Sequence, residues 1–577
     1  MKHRSVVSNF VFKGESVDQA QQIALFKRST HPNIRSYQGK YSPIAGSIEE
    51  QDAYPLAAAE REIYEETQLV CGRDLVLGFT GRPFTFEDEQ AQRSWTVHPF
   101  EWLLKADESK IQIDWEHSGW KWFDPQAVLD GGIDDDCVPR LKVSLRRVYL
   151  GPNGMFGSGN GLITRNNAAG QAFLRTIEKL RNDTENGARV LATDALKGLV
   201  EITKCIFSTE DGLLSPEYWY ALRVAAWHFI YSARTSMNAA IASAIVNALA
   251  QIAHATNVLQ NDPKAACDIL EQSIANRQKT STEIAKAFKK YVDTLVTRQQ
   301  QEEPAINIIT LSNSSTILAS LTHLVELAQE NLLRLNFTIL ESRPACEGAS
   351  LAASLLSSLN DKAASRDEPA RVSVRIVPDS HSAFVLREPK DAGDSRKPHT
   401  VVLLGADRIT PSGHVVNKTG STALAVLARC LPGRGNREVV VLSETDKIAV
   451  PKQDVLASYE QLLAKPDEEG VTDGLAAELS RQELTLEPDE QHDSAEVSCI
   501  WPESARNMVQ SYMQAAGSSS VRNAVTIENS YFELIPAEYI DAYIAEDGEI
   551  SKEDVLRKSV NKAKKESNLF EDLYEVD

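Results

Sequence analysis

The sequence predicts a multidomain protein: an α+β unit, then a helical unit, then an α/β unit built on a doubly wound parallel sheet. At 577 residues the chain is too long for one hydrophobic core. Strand-like runs and one helix share the first part, apolar residues then recur at helical spacing, and beyond Pro304 strands and helices alternate. Hydrophobic residues make up 42% and charged residues 25%, which is typical of globular domains and excludes general disorder.

The first unit, residues 1–150, combines strands with one helix. Val6–Lys13, Ile23–Arg28 and Ser94–Leu103 are rich in β-formers. Leu56–Thr67 is rich in alanine and glutamate, which favour a helix. The glycine-rich stretch that follows predicts a linker over residues 151–165, and we place the first domain boundary there.

Residues 166–303 form the predicted helical unit, with long runs at Leu222–Ile252 and Glu283–Gln301. Residues 304–577 carry short β-branched runs separated by helices, which predicts a Rossmann-like α/β unit with a doubly wound parallel sheet. The runs are Asn307–Leu311, Thr338–Glu341, Val372–Val377, Val401–Leu404 and Glu438–Leu442. The stretch near residues 465–494 is acidic, and we predict an exposed loop inserted there.

Charge and hydropathy exclude several classes of partner. A formal charge of −20 disfavours a surface that wraps nucleic acid, because phosphate binding needs clustered cations. The most apolar helical run, Ala239–Ala253, is too short to cross about 30 Å of hydrocarbon, so we expect no membrane contact. The seven cysteines show no CxxC spacing, which indicates reduced thiols and fits a cytoplasmic protein.

Three carboxylates define the first candidate site. Glu62, Glu65 and Glu66 stand at i, i+3 and i+4, so a helix places them on one face. Their repulsion is unfavourable unless a cation neutralises it, and hard oxygen ligands suit Mg²⁺ or Mn²⁺, which can bridge a pyrophosphate and activate water. Taken alone, this spacing favours a solvated acidic helix face.

The surrounding residues resemble the Nudix box. The matching positions are Gly46, Asp52, Arg61, Glu62, Ile63, Glu65, Glu66 and Leu69. The resemblance implies that the glutamates bind metal, that Arg61 braces a glutamate and that Gly46 permits close backbone approach. The chain departs from the pattern in having Asp at 52, one extra residue before Arg61, and Gln68 where glycine usually ends the helix in a left-handed conformation.

The Nudix resemblance implies a metal-dependent hydrolase of a nucleoside diphosphate-linked compound, of the ADP-ribose or nucleotide-sugar type. Elements outside the box choose the substrate. Candidates that could stack on a base or contact phosphate are Arg82, Phe84, Phe86, Trp95 and His98. Packing in the core or on a strand is an equal alternative for each of them.

The second candidate site lies where predicted strands end, since free N–H groups and helix dipoles attract anions there. Three such exits carry Ser312, Glu341–Pro344 and Gly405–Ile409. A further helix opens with Asn417, Lys418 and Gly420, which combine an amide, a cation and a flexible turn. Each residue alone is more typical of a cap or turn, but the set indicates a site for a phosphate or phosphosugar.

This set resembles one family over residues 166–577: the alpha, beta and delta subunits of translation initiation factor 2B with the methylthioribose-1-phosphate and ribose-1,5-bisphosphate isomerases. Further matching stretches are Asn186–Ala188, Arg234–Met237, Asn529–Pro536 and Glu549–Ser551. The resemblance gives Asp407 a role in proton transfer and makes Arg343, Asn417 and Lys418 ligand candidates.

Two positions depart from the isomerases. Ser312 stands where they carry a cysteine, and a hydroxyl is a far weaker acid than a thiol. Asn186 stands where they carry a phosphate-binding arginine. Cys346 lies near a neighbouring strand exit and is an alternative thiol, although a structural role is more typical of such a cysteine.

The leading hypothesis is therefore a Nudix hydrolase joined to a domain that binds a sugar phosphate or a nucleotide. The alternatives are a regulatory protein resembling an initiation factor 2B subunit with a sensor Nudix domain, an active aldose-ketose isomerase, and a structural scaffold. The scaffold fails to account for the intact Arg61–Glu66 cluster. The resemblance also implies a homodimer, and initiation factor 2B subunits as possible partners.

Overall fold

The computed structural model describes residues 2–14, 22–34, 36–152, 154–155, 161–183, 186–207, 215–233, 238–256, 263–299, 303–330, 333–360, 371–387, 398–432, 436–453, 455–464, 471–484, 492–516 and 525–574. They divide into two compact units. Unit 1 is Met1–Asn186, Val190–Ile274 and Ser567–Asp577, and unit 2 is Gly187–Arg189 and Ala275–Glu566. No helix in the described ranges is long and apolar enough to cross a membrane.

Unit 1 begins with a mixed seven-stranded sheet in the order β3-β2-β1-β6-β4, with β5 paired to β6 and β7 to β2. Strands β1 and β6 run parallel, and the other pairs are antiparallel. The strands are β1 (Lys2–Lys13), β2 (Gln22–Arg28), β3 (Tyr41–Ser42), β4 (Leu75–Thr80), β5 (Phe84–Asp88), β6 (Arg93–Leu104) and β7 (His117–Phe123). The predicted α+β fold is confirmed.

Helix α1 (Pro55–Thr67) packs on this sheet because its apolar residues share one face. Ala58, Ala59 and Ile63 are buried against Val7, Val11 and Phe26 of β1 and β2. The opposite face leaves Glu65 exposed. Packing of the alanine face thus fixes the direction in which the three predicted metal ligands leave the helix.

Short elements join the sheet to the helical part of unit 1. They are α2 (Pro125–Leu129), α3 (Leu141–Arg146), β8 (Leu150–Gly151) and β9 (Gly154–Met155). Strands β8 and β9 lie in the predicted linker and pair with each other, and Arg165 at its far end donates from Nε to Leu150 O at 3.2 Å. Residues 153 and 156–160 of that linker lie outside the described residues.

The predicted helical region forms α4 (Ala168–Asn182), α5 (Ala188–Phe207), α6 (Pro216–Tyr231), α7 (Asn238–Thr256) and α8 (Pro263–Gln299). The long apolar run predicted at Leu222–Ile252 is divided between α6 and α7. The stretch Arg234–Met237, matched to the initiation factor family in the sequence, lies outside the described residues.

Unit 2 is built on a seven-stranded sheet in the order β12-β11-β10-β13-β16-β18-β19. The first six strands are parallel and β19 is antiparallel to β18. They are β10 (Ala305–Thr310), β11 (Arg334–Leu340), β12 (Val372–Val377), β13 (His399–Leu404), β16 (Arg437–Leu442), β18 (Ala542–Ala545) and β19 (Gly548–Ile550). Successive strands are added on one side of β10 up to β12 and on its other side from β13 onward, as in a doubly wound fold. The predicted Rossmann-like sheet is confirmed.

Helices cover both faces of this sheet, and each face has its own apolar cluster. The helices are α9 (Ser315–Glu330), α10 (Glu347–Asn360), α11 (Ser382–Val385), α12 (Ser421–Cys430), α13 (Leu456–Ala464), α14 (Val471–Leu484), α15 (Ser494–Ser498), α16 (Glu503–Ala516) and α17 (Lys552–Phe570). A small sheet joins β14 (Arg408–Ile409), β15 (Val415–Lys418) and β17 (Phe532–Ile535). It carries β15 to the edge at which the parallel strands end.

The acidic stretch near 465–494 differs from the predicted exposed loop. Residues 471–484 form α14, and Leu475 and Leu479, one helical turn apart, pack with Tyr459 and Val560. Glu483 is buried and accepts a hydrogen bond from the Tyr459 hydroxyl. The prediction overlooked this apolar pair because the charges around it dominate the composition. The flanking residues 465–470 and 485–491 lie outside the described residues.

Candidate functional sites

Helix α1 carries the three glutamates of the first site, and residues at both of its ends define its length. Pro55 occupies the first turn, where its missing N–H costs no hydrogen bond. At the other end Gln68 adopts the left-handed conformation, with φ of 59°, and its N–H bonds to Tyr64 O at 2.9 Å. Gln68 therefore ends the helix in the same way that glycine would, despite its side chain.

Arg61 joins the carboxylates of the site. Its Nε and Nη2 contact Asp52 at 3.1 and 2.8 Å, and its Nη1 lies 2.8 Å from Glu62 and 3.1 Å from Glu65. Nη2 also donates to Ser47 O at 3.0 Å. The Arg61 hydrogen bonds lower the pKa of Asp52. The aspartate and the extra residue in this loop therefore still permit a bidentate pair with Arg61.

Glu62 and Glu66 are withdrawn from solvent. Burial raises the pKa of Glu62, and the charges of Glu65 and Glu116 raise it further against the opposing effect of Arg61. Burial raises the pKa of Glu66 well above its usual range, and Glu62, Glu116 and Asp114 add to this. The carboxylates therefore repel one another, and ionising them together is unfavourable without a cation.

Glu66 has a buried partner that the sequence did not indicate. Its Oε2 lies 2.5 Å from Nε2 of His117, the first residue of β7, and both side chains are almost fully buried. Burial lowers the pKa of His117, which favours a neutral ring that donates from Nε2. No motif spacing links residues 66 and 117, so only the pairing of β7 with β2 brings them together.

The donor set fits a divalent cation. Glu62, Glu65 and Glu66 supply only oxygen, the ligand that Mg²⁺ and Mn²⁺ prefer, and their repulsion is the kind that a cation relieves. In the conformation observed, Glu62 and Glu65 lie on Arg61, whereas Glu66 lies on His117. Among the described residues, no group of three His, Cys, Asp or Glu side chains is arranged around a metal position.

Gly46 lies against the carboxylates. A Cβ added there would stand 1.9 Å from the carboxyl carbon of Glu62, so a side chain would displace that glutamate from Arg61. The Gly46 carbonyl accepts the Val7 N–H at 2.9 Å, which ties this loop to β1. Glycine at 46 is required by this close approach.

An aromatic cavity of about 230 Å³ borders Gly46 and Ser47. Strands β5 and β6 pair Phe84 with Val97 and Phe86 with Trp95, so these four side chains share one face of the sheet and line it. His98 follows Val97 and faces the other way, where burial lowers its pKa to about 4. Of the five predicted substrate contacts, the cavity includes Phe84, Phe86 and Trp95.

Arg82 lies elsewhere, with Nη1 donating to Leu573 O at 2.6 Å. Two cations that the sequence did not single out, Arg28 and Arg140, line the aromatic cavity instead. A groove of about 780 Å³ shares Tyr37 and residues 138–141 with this cavity. Its charged lining residues are Lys40, Asp134, Asp135, Arg140, Lys142 and Arg146.

The second site lies in unit 2, at the carboxyl ends of β10 and β13, where the order of the parallel strands reverses. Ser312 follows β10, and Gly405 and Asp407 follow β13. The Asp407 N–H bonds to Val416 O at 2.8 Å, and its side chain is partly exposed. Ligands of doubly wound sheets occupy this crevice, and the two strand exits predicted from sequence therefore flank it.

Asn417 is buried and holds Ser312. Its Nδ2 donates to Ser312 Oγ at 3.0 Å and to Ser421 Oγ at 2.9 Å. The Ser312 hydroxyl is also buried, and Gly405 lies beside it. Asn417 thus orients the Ser312 hydroxyl at the end of β10.

Lys418 leaves β15 in the opposite direction, since successive residues of a strand alternate. Its Nζ lies 3.2 Å from Glu347, 4.8 Å from the Tyr531 ring centre and 4.5 Å from that of Phe532. It lines a small cleft together with Arg343. Gly420, with φ of 103°, then starts α12. The predicted ligand candidates thus divide into two groups, one around Ser312 and one around Arg343.

Several charged groups near these strand exits were missed by the sequence reasoning. Lys447 donates to Ala406 O at 2.6 Å, beside Asp407. Arg189 lies 2.8 Å from Glu444 through Nε and 3.5 Å from Ser315 Oγ through Nη1. Arg189 directly follows the Asn186–Ala188 stretch, and this proximity was an available signal.

Asn186 itself bonds to Asp183 in unit 1. Cys346 contacts Pro344 O through its thiol, at 3.6 Å.

Two family models match the chain. The model of the NUDIX domain matches residues 2–141. The model of the initiation factor 2 subunit family matches residues 184–552, well over half of the sequence. The chain belongs to the initiation factor 2 subunit family. In this family member the second model covers the whole Rossmann-like sheet together with α5–α8, and the NUDIX domain contains the Arg61 cluster and the aromatic cavity.

Solved structures resemble this initiation factor 2 subunit family member weakly. Translation initiation factor eIF-2B of Pyrococcus horikoshii has 18% identity and a TM-score of 0.39, covering 66% of this chain and 96% of its own. The 5-methylthioribose 1-phosphate isomerase of the same organism has 16% identity and a TM-score of 0.38, covering 68% and 87%. eIF2B beta of Chaetomium thermophilum has 11% identity and a TM-score of 0.40, covering 71% and 93%. No curated protein matched the sequence.

Proposed function

We propose that the NUDIX domain is a metal-dependent pyrophosphohydrolase of a nucleoside diphosphate-linked compound, of the ADP-ribose or nucleotide-sugar type. The observation that carries the proposal is the position of Glu62, whose carboxylate packs against Gly46 at the border of the aromatic cavity. A nucleoside in that cavity would bring its phosphates to the carboxylates.

The cavity has the chemistry of a nucleoside site. Phe84, Phe86 and Trp95 offer ring faces on which a base can stack, and Arg28 and Arg140 offer charge for phosphates. The larger groove continues from Tyr37 and Arg140, with four cations against two aspartates. This groove suits the second half of a substrate when that half is anionic or rich in hydroxyl groups. It therefore favours a compound linked through pyrophosphate over a nucleoside triphosphate.

Glu62, Glu65 and Glu66 would hold Mg²⁺ or Mn²⁺. The ion would polarise the phosphate and lower the pKa of water. Arg61 keeps Glu62 and Glu65 together before the ion arrives, and Asp52 fixes Arg61 in turn. His117 fixes the direction of Glu66 through Nε2, the outer contact that metal-binding carboxylates commonly have.

The test is a screen of the full chain for phosphate-containing products, with ADP-ribose, nucleotide sugars, dinucleotides and nucleoside triphosphates as substrates. Reactions with Mg²⁺ or Mn²⁺ are compared with reactions containing a chelator. We expect metal-dependent cleavage of at least one pyrophosphate-linked compound and slower cleavage of triphosphates. Absence of turnover on every compound would contradict the proposal and favour a sensor role for the domain.

For unit 2 we infer that the strand exits bind a sugar phosphate or a nucleotide without isomerising it. The supporting observation is Ser312, whose weakly acidic hydroxyl is held by Asn417 in place of an acidic thiol. Asp407 is present, but proton transfer between two carbons needs a suitable partner group for it. Cleavage of ADP-ribose releases a phosphorylated pentose, which is the ligand class expected for unit 2.

Removing the ammonium of Lys418 should weaken binding of ribose 5-phosphate about 10- to 100-fold, because a hydrogen bond to a charged group contributes about 1.5–3 kcal/mol. Calorimetry on Lys418→Ala, beside the exposed Lys452→Ala as control, measures this effect. Equal affinity in the two variants would place the phosphate away from the Arg343 cleft. Isomerisation of ribose 1,5-bisphosphate by the unmodified chain would overturn the binding-only proposal.

Membership of the initiation factor 2 subunit family favours a second candidate function, assembly with initiation factor 2B subunits or with a second copy of this chain. Sedimentation measures the self-association, and affinity purification from cells measures the association with initiation factor subunits. A chain that stays monomeric and recovers none of these subunits would contradict it.

A further inference from the structure

Residues 569–574 form part of unit 1, and Tyr574 lies behind the wall of the aromatic cavity, against Arg147. The centre of the Arg147 guanidinium lies 4.7 Å from the ring centre of Phe84 and 4.7 Å from that of Tyr574. Arg147 is only 5% exposed, and Phe84 lines the cavity. The buried cation therefore connects Tyr574 to a residue of the proposed nucleoside site.

The segment is held in place at several points. The Tyr574 hydroxyl lies 3.1 Å from Nε2 of the buried His228. The Leu573 carbonyl accepts from Arg82 at 2.6 Å, and that of Leu569 accepts from Arg223 at 2.9 Å. Arg223 also forms an ion pair with Asp572. These contacts use Arg82, between β4 and β5, and two side chains of α6, so Tyr574 has a fixed position beside Arg147.

Phe84 depends on its neighbours for its orientation because β5 is the edge of its sheet. Its ring stacks on Phe86 with centres 6.1 Å apart and planes 23° apart. On another side the Phe84 ring contacts the Arg147 guanidinium, and cations are attracted to aromatic faces. Because Arg147 is buried, this attraction is stronger than at an exposed site, and moving the ring away would cost more free energy. A fixed ring contributes more to stacking on a base, because binding need not restrict its rotamers.

We propose that Arg147 and Tyr574 are positioning residues for the nucleoside half of the substrate, and that residues 569–574 support the cavity wall from behind, through Arg147 and Phe84. This inference rests on the function proposed above. It explains why the buried Arg147 guanidinium contacts two aromatic rings. It also implies that substrate binding depends on the aromatic ring of Tyr574 and not on its hydroxyl.

The experiment compares Tyr574→Leu with Tyr574→Phe in the full chain. Loss of the ring should raise KM for the best substrate of the screen about tenfold and leave kcat within about twofold, because the ring supports binding and not the chemical step. Tyr574→Phe keeps the ring and loses only the contact with His228, so its KM should stay near that of the unmodified chain. Calorimetry with AMP should show the same order of affinities.

The outcomes separate this inference from the function on which it rests. Failure of the unmodified chain to bind AMP contradicts the nucleoside cavity itself. Binding by the unmodified chain with equal affinity in Tyr574→Leu overturns only the role of Tyr574. A fall in kcat without a change in KM, or an equal loss in Tyr574→Phe, would mean a general structural role and would also overturn it.

Discussion

Replacing Glu62 by glutamine should lower kcat of the NUDIX domain at least about 100-fold, because groups that merely orient metal ligands already cost 10- to 100-fold when they are removed. Glutamine has the same shape, so the packing against Gly46 persists. The charge that would face a divalent cation is lost. Initial rates with the substrate found in the screen measure the effect, and Mn²⁺ binding followed by calorimetry should weaken in parallel.

Glu60 supplies the matched control. It lies on the same helix two residues earlier, and its side chain is exposed. Glu60→Gln removes the same charge from α1 but not from the site, so kcat should stay within about twofold, the usual range for a surface substitution. Equal losses in the two variants would show that the cluster acts only through its general charge. A normal rate in Glu62→Gln would show that the charge of Glu62 is not needed for catalysis.

The sequence was sufficient to predict the strands and helices whose positions follow from the periodicity of apolar residues. Strands β1, β2 and β6 and helix α1 lie within a few residues of their predicted bounds, since alternation and the alanine-rich face determine them. The parallel sheet of unit 2 followed from alternating strands and helices. The spacing of the three glutamates also placed them on one helix without any tertiary information.

The remaining features depend on contacts between distant residues. His117 reaches Glu66 only because β7 pairs with β2, and Tyr574 reaches Phe84 only through Arg147. No local pattern encodes such pairs. The opposite directions of Asn417 and Lys418 were available from strand alternation, but only after β15 was known to be a strand.

Glu101 is the origin of the second large effect that we expect, a dependence of stability on pH. It lies in β6, fully buried, where it accepts the Phe79 N–H at 2.8 Å. Burial raises its pKa to about 8, against the opposing effects of that hydrogen bond and of Arg181 and Arg165. Burial also lowers the pKa of Arg181 to about 10, so this guanidinium remains charged throughout the range below pH 8.

Stability falls as the pH rises because the pKa of Glu101 is higher in the folded chain than in the unfolded one. The folded chain retains the proton of Glu101 more tightly than the unfolded chain, whose glutamates titrate near pH 4.5. The stabilising contribution is therefore complete below about pH 4.5 and is lost as the pH rises through 8. The corresponding fall in the free energy of unfolding is on the order of 5 kcal/mol.

Glu101→Gln should remove this pH-dependent fall in the free energy of unfolding. Its amide can still accept the Phe79 N–H, and it carries no charge to bury, so the variant should match the unmodified chain at pH 4.5 and be the more stable of the two at pH 8. Urea unfolding followed by tryptophan fluorescence at both values measures the difference, with the exposed Glu87→Gln of β5 as control. A variant that is less stable at pH 8 would mean that the ionised carboxylate is held by Arg181 and stabilises the folded chain.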